Sequence, residues 1–170
     1  MNSKLTHLAV PLLTGAMTLF GGIAVAQNSP SGKPRESSLS AKDKAFMQKA
    51  AKGGMMEVAM GKLAEQNGQN EDVKAFGRRM ATDHGKANEE LMSIAQRKGV
   101  KLPTKEPSEK WSSDKAYMNM MVKDHEKDLA EFQQEATAAS DPDVKKFAED
   151  TSKVIQEHLD LARQTQSKLQ

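Results

Sequence analysis

The sequence predicts an all-α protein folded as a four-helix bundle, and three observations carry that prediction. From about residue 40 onward, apolar residues recur three and four apart in four long segments, the spacing that gives a helix one buried face. Period-two alternation of β-branched and aromatic residues, which would mark strands, is missing throughout. Turn and capping residues separate the four segments.

The first residues stand apart from this pattern. Met1 to Ala26 has Lys4 near its start, an apolar run from Leu8 to Val25 broken by Pro11 and Gly15, and a closing Ala24-Val25-Ala26. A charged start, an apolar middle and an A-x-A exit predict an export signal cleaved after Ala26. A retained membrane anchor is the alternative, because the run approaches the length that spans a bilayer. No Cys follows, which excludes a lipid-anchored lipoprotein. Residues 27–39, beginning "QNSPSGKPRESS", are polar, lack periodicity and predict a disordered leader. The bundle domain is expected over residues 40–170.

The first helix is expected from about Ser40 to Gln66, with Phe46, Ala50, Met60 and Ala64 on one stripe. Gly53-Gly54 weakens it by about 1 kcal/mol per Gly relative to Ala, and close approach of a neighbouring helix is one reason to keep them. "NGQN" makes the turn. The second helix, Glu71 to Lys98, carries Val73, Phe76, Met80, Ala87, Leu91 and Ile94 inward, and Gly99 stops it. A linker with two prolines, "GVKLPTKEPSEKW", leads to a third helix capped by Ser112 or Ser113 and running to about Ala139. Its stripe is Met118, Met121, Val122, Leu129, Phe132 and Ala136. "SDPDV" opens the fourth helix, with Asp141 as cap and Pro142 at the first helical position. That helix carries Val144, Phe147, Ala148, Val154, Ile155, Leu161 and Ala162. Each helix spans roughly 40 Å at about 1.5 Å per residue. Phe76, Met80, Asp83 and His84 recur as Tyr117, Met121, Asp124 and His125 at a constant offset of 41, as if one helical unit were copied.

Basic and acidic residues nearly balance, at 25 against 23, and losing Lys4 with the leader narrows the difference further. That removes the electrostatic case for binding nucleic acid, and for strong affinity of the mature chain for anionic membranes. With no Cys, disulfides and thiolate metal sites are excluded.

The residues that do not suit a core are ionisable. Outside the leader lie three histidines, His84, His125 and His158, each on the inner stripe of its own helix. The first helix has Glu57 in the equivalent place, seven residues from both Ala50 and Ala64. Counted along the helices, all four fall near the middle, so they predict one central polar layer. Unpaired polar groups in a dry interior cost several kcal/mol. Either a transition metal (Zn, Fe, Cu or Ni) is held by the three imidazoles and the Glu57 carboxylate, or the four groups satisfy one another and trapped water, setting helix register. Asp83, Asp124 and Glu157 immediately precede the histidines. Each sits a 100° step away, where it could orient a ring on a neighbouring helix.

At these residues the chain resembles a known family. "FMQKAAKGGMMEVAMGKLA", "VKAFGRRMATDH", "AYMNMMVKDHEKDLAEF" and "FAEDTSKVIQEHLDLA" are similar to exported bacterial four-helix proteins of unknown function, often labelled predicted outer membrane proteins. The resemblance covers about Ala45 to Ala162 and implies a ferritin-like fold, with the family's Glu on Glu57 and its His positions on His84, His125 and His158. It departs in the segment before the third helix, which is shorter here. It brings no settled activity. Di-iron bundles use Glu-x-x-His, whereas Ala81, Val122 and Ile155 lie three residues before these histidines.

Two functions follow as expectations, both in the periplasm or cell envelope of a Gram-negative bacterium: an exported periplasmic metal-binding bundle for metal handling or stress response, or an envelope structural or interaction protein whose polar layer only sets register. No Ser-His-Asp order, phosphate loop or metalloprotease motif appears, so an enzymatic reading has no substrate to name. Haem is disfavoured, because the eleven methionines sit at helical spacing as adaptable core filler and no haem-attachment Cys exists. The path between the second and third helices stays open between a short hop and a crossover along the bundle.

Overall fold

Capping chemistry sets the helix starts. Ser40 Oγ accepts the Asp43 N–H at 3.0 Å while the Asp43 carboxylate accepts the Ser40 N–H at 3.3 Å, a reciprocal box that opens α1, Ala41–Asn67. Asn70 accepts the Asp72 and Val73 N–H groups and opens α2, Glu71–Lys98. Gly99, at φ 65°, closes it in the left-handed conformation that glycine adopts without steric cost. Ser113 caps α3, Asp114–Ala138, and Asp141 caps α4, Pro142–Ser167. The computed structural model describes residues 39–105 and 107–169. The expected signal peptide, and all of the leader except Leu39, lie outside the described residues. Leu39 packs against the core.

The topology follows from the helix ends. The Asp114 carboxylate accepts the Gln69 N–H at 3.1 Å and the Asn70 N–H at 2.7 Å, so α3 starts beside the start of α2. At the other end, Lys98 pairs with Asp141 at 2.8 Å, joining the end of α2 to the start of α4. The linker between α2 and α3 therefore joins opposite ends of the bundle, and near its start Gln48 donates to the Lys101 carbonyl at 3.2 Å. This crossover answers the open question of connectivity. α1 packs on α2 and α3, and α4 packs on α3 and α2. The diagonal pair α2 and α3 run parallel, the ferritin-like arrangement.

Close packing of α1 on α2 is set by glycines other than the expected pair. A Cβ on Gly61 would lie 2.6 Å from the Gly77 carbonyl oxygen, and one on Gly77 would lie 2.6 Å from that of Gly61. Gly54 instead makes room for the Asn88 side chain, and Gly53 faces open space.

The apolar core comes in two parts. One holds Phe46, Leu91, Ile94, Phe132, Phe147 and Ile155; the other holds Met60, Phe76, Met80, Tyr117, Met118 and Met121. Full burial of such a side chain contributes about 1.5–3 kcal/mol. Val154 departs from the expected stripe: it is 37% exposed, and Ile155 beside it is buried. Stepping by seven from Phe147 drifts about 20° per heptad on a straight helix, enough to swing this small residue outward. Every helix enters one apolar part and leaves through the other, and what lies between is polar.

Candidate metal centre

Glu57 lies between Ala51 and Met60 of the two apolar parts, His84 between Met80 and Leu91, His125 between Met121 and Phe132, and His158 between Ile155 and Ala162. The packing partners confirm a common height. Gly54 meets Asn88 and Gly61 meets Gly77 and Ala81 across α1 and α2, which brackets Glu57 opposite His84. Asp83 meets His158 across α2 and α4.

Within this layer the three imidazoles converge. Their centroids are 5.7 Å apart for His84 and His125, 5.3 Å for His84 and His158, and 5.6 Å for His125 and His158. One nitrogen from each ring can be chosen so that all three lie within 4.8 Å of one another. Glu57 is as buried as His125 and His158, at 1% exposed, whereas His84 is half-buried, and the Glu57 oxygens are not part of that group. The sequence-derived layer is thus present as three gathered rings, with Glu57 at the same height but outside the group.

Hydrogen bonds occupy one nitrogen in two of the three rings. His125 Nδ1 lies 2.9 Å from the Met121 carbonyl oxygen, to which it must donate, leaving Nε2 as a bare acceptor. His158 Nε2 lies 3.0 Å from Asp83 Oδ2, which leaves Nδ1 bare. Among the described residues, His84 Nε2, His125 Nε2, His158 Nδ1 and both Glu57 oxygens are buried without a hydrogen-bond partner. Buried polar atoms are rarely left so.

Burial keeps the rings neutral. It pushes the His84 imidazole down to about 3, helped by the other two rings, and His125 to about 4. Burial also lowers His158, against the upward pull of Asp83. The Glu57 carboxyl goes the other way, up to about 8, through burial first and then the negative charges of Asp124 and Asp128. Neutral imidazoles with an unpartnered ring nitrogen are the protonation state that a metal ion requires. The donor set therefore fits a transition metal.

Of the three acids expected to flank the layer, Asp83 orients a ring on a neighbouring helix. Burial would raise its carboxyl, but hydrogen bonds from His158 and Arg79 hold it below its usual range. Glu157 faces outward and holds Arg79 at 2.7 Å, so Arg79 ties Asp83 to Glu157 behind His158. Asp124 lines a cleft in front of His84. Two participants escaped the sequence reading. Arg79 is one turn before Asp83 on the same face, and Asp128 one turn after Asp124; helical spacing gave a signal for each, but charged surface has the same spacing. Replacing Asp83 with Asn keeps the shape and removes the charge, and is expected to weaken metal binding about ten- to hundredfold. Titration of the D83N protein with Ni(II) or Co(II) measures this.

A family profile described as a domain of unknown function, DUF4142, matches residues 28–165. The chain belongs to the DUF4142 family. No curated protein matches it. Among solved structures, this DUF4142 chain is similar to a two-domain protein from Anabaena variabilis containing DJ-1/ThiJ/PfpI-like and ferritin-like domains, at 16% identity and a TM-score of 0.59. The alignment covers 77% of this chain and 38% of the other. At that identity the likeness shows the ferritin-like fold alone.

Proposed function

We propose that this DUF4142 protein is an exported metal-binding protein of the bacterial envelope, holding a transition metal at His84, His125 and His158 for metal handling or stress response. One observation carries the reading: three histidines that each keep a buried, unpartnered ring nitrogen and that offer one ligand nitrogen each within 4.8 Å of the others. Imidazole donors suit Zn, Fe, Cu and Ni. When bound, the ion would act as a Lewis acid or, if redox-active, as an electron carrier. The protein's part is to hold the rings: Met121 and Asp83 fix two tautomers, and apolar layers bound the site above and below. Export is supported by the Lys4, apolar run and Ala24-Val25-Ala26 pattern. Among the described residues no helix is long and apolar enough to cross a membrane.

Trp111 offers a built-in test. It is the chain's single tryptophan, and aromatic contacts at 5.5, 6.0 and 6.5 Å lead from it through Tyr117 and Phe76 to His125. Cu(II) or Ni(II) at the centre is expected to quench its fluorescence, saturating at about one equivalent of bound metal by elemental analysis. A flat titration with no uptake of any of the four metals would overturn the reading.

A further inference from the structure

The three rings of the centre are not held alike. His125 donates from Nδ1 to the Met121 carbonyl oxygen at 2.9 Å, and His158 is held through Nε2 by Asp83 at 3.0 Å. Neither nitrogen of His84 has a hydrogen-bond partner among the described residues: its Nε2 is buried, and its Nδ1 is open to solvent. The ring as a whole is half-buried, while His125 and His158 are buried. A hydrogen bond on the second nitrogen of a ligating ring is worth about ten- to hundredfold in metal affinity. His84 lacks it, so of the three donors it is the one that lets go first.

Space stands beside that ring. Two clefts, of about 310 and 260 Å³, reach it from outside. The larger is lined from all four helices and the linker, the smaller from α2 and α4 alone, and both include His84, Ala87, Thr151 and Ile155. His84 therefore stands where the clefts adjoin. Ala87, one turn after it on α2, puts only a methyl group there. A ring with no hydrogen bond and free volume beside it turns at little cost, whereas turning His125 or His158 breaks a hydrogen bond away from water.

We propose that His84 is the exchange ligand of the centre: its ring turns out into the clefts to admit or release the ion, while His125 and His158 keep hold of it. This rests on the metal reading above. In each exchange the bond from the ion to the His84 ring breaks and one bond forms to a donor atom of a small incoming chelator; no electron moves. The centre is then a transfer site, passing metal to and from nitrogen- and oxygen-donor chelators small enough to enter the clefts. A site built only to keep its metal would lock all three rings as it locks two.

Diethyl pyrocarbonate, which acylates accessible neutral imidazoles, tests the asymmetry without metal. In the full mature chain it is expected to modify His84 first and to spare His125 and His158, as read by peptide mass. Affinity for Ni(II) gives a second measure: His84→Ala is expected to cost about ten- to hundredfold less than His125→Ala. Transfer of Ni(II) from the loaded chain to iminodiacetate gives a third. Its rate is expected to rise with chelator concentration, and Ala87→Leu, which fills the space beside His84, is expected to slow it several-fold at unchanged affinity. Modification of His125 or His158 ahead of His84, equal affinity losses in the two alanine variants, or a transfer rate indifferent to Ala87→Leu would each overturn the exchange role while leaving the centre intact. A wild-type chain that takes up no Ni(II) would instead remove the centre, and the exchange role with it.

Discussion

The double substitution His84→Leu with His125→Leu is expected to make the metal-free protein more stable, by about 1–4 kcal/mol, while abolishing all stabilisation by metal. His125 is buried and His84 half-buried, and each carries a buried nitrogen with no hydrogen-bond partner among the described residues. Such a group costs about 1–3 kcal/mol, and removing it in favour of an apolar side chain of similar size recovers that cost. The replacement leucines would also fuse the two apolar parts of the core through the layer that now divides them. Metal added to the wild-type chain works in the opposite direction. At one hundred times the dissociation constant it stabilises the folded state by about 2.7 kcal/mol, because an unfolded chain cannot gather three rings. Thermal unfolding with and without Ni(II) therefore gives crossed results: the variant melts higher without metal, and the wild-type chain alone responds to it. A polar layer that exists only to set helix register also allows the first result, but it gives no metal response in either protein. A variant less stable than the metal-free wild type would show that the rings are already satisfied, and would count against both the orphaned nitrogens and the centre built on them.

The fold was legible because its signals are local. Ser113, Asp141, Asn70 and Gly99 mark helix ends whatever the tertiary arrangement, and the observed bounds fall within a residue or two of those expected. The crossover was written in the sequence too, in a less obvious place. Residues at a constant offset stay level only when two helices run parallel; in an antiparallel pair it is the sum of the numbers that stays constant. Phe76 with Tyr117 and His84 with His125, both offset by 41, are each in ring contact across the bundle, at 6.0 and 5.7 Å. Parallel α2 and α3 follow from that repeat. The common height of Glu57 and the three histidines was likewise legible by counting turns. What counting could not supply is the direction of a side chain about the helix axis. Whether the Glu57 carboxyl turns toward the rings or toward Asp124 and Asp128 depends on rotamers and on neighbours two helices away. For the same reason Gly61 and Gly77 escaped notice: single glycines say nothing about which backbone passes over them.

Stability of the metal-free protein should peak near pH 6.5 and fall on both sides, with Glu57 responsible for the alkaline side. Its carboxyl ordinarily titrates at 4.5 and is pushed up to about 8 in the fold, by burial and then by Asp124 and Asp128. Above pH 4.5 the unfolded chain releases a proton that the folded chain keeps, so folding loses ground until the pH passes the folded value near 8. The imidazoles have the opposite sign. Ordinarily at 6.5, His84 is pushed to about 3 and His125 to about 4 by burial, so below pH 6.5 the unfolded chain takes protons that the folded chain refuses. Between pH 4.5 and 6.5 the two effects oppose each other, and two rings outweigh one carboxyl. Above 6.5 the rings contribute nothing more and the carboxyl acts alone. At about 1.4 kcal/mol per pH unit, the fall from pH 6.5 to 8 amounts to roughly 2 kcal/mol. Glu57→Gln keeps the shape and cannot ionise, so its stability is expected to stay level across that range, and at pH 8.5 it should exceed the wild type by more than it does at pH 6. Urea midpoints at half-unit steps decide the matter. A wild-type profile that is flat above pH 6.5 would mean that Glu57 is already ionised in the folded chain, with a positive partner in place of the crowding by Asp124 and Asp128. A Gln variant that still declines would place the alkaline loss on some other group. With the expected profile, the buried Glu57 carboxyl is the protonated form in the folded chain at neutral pH.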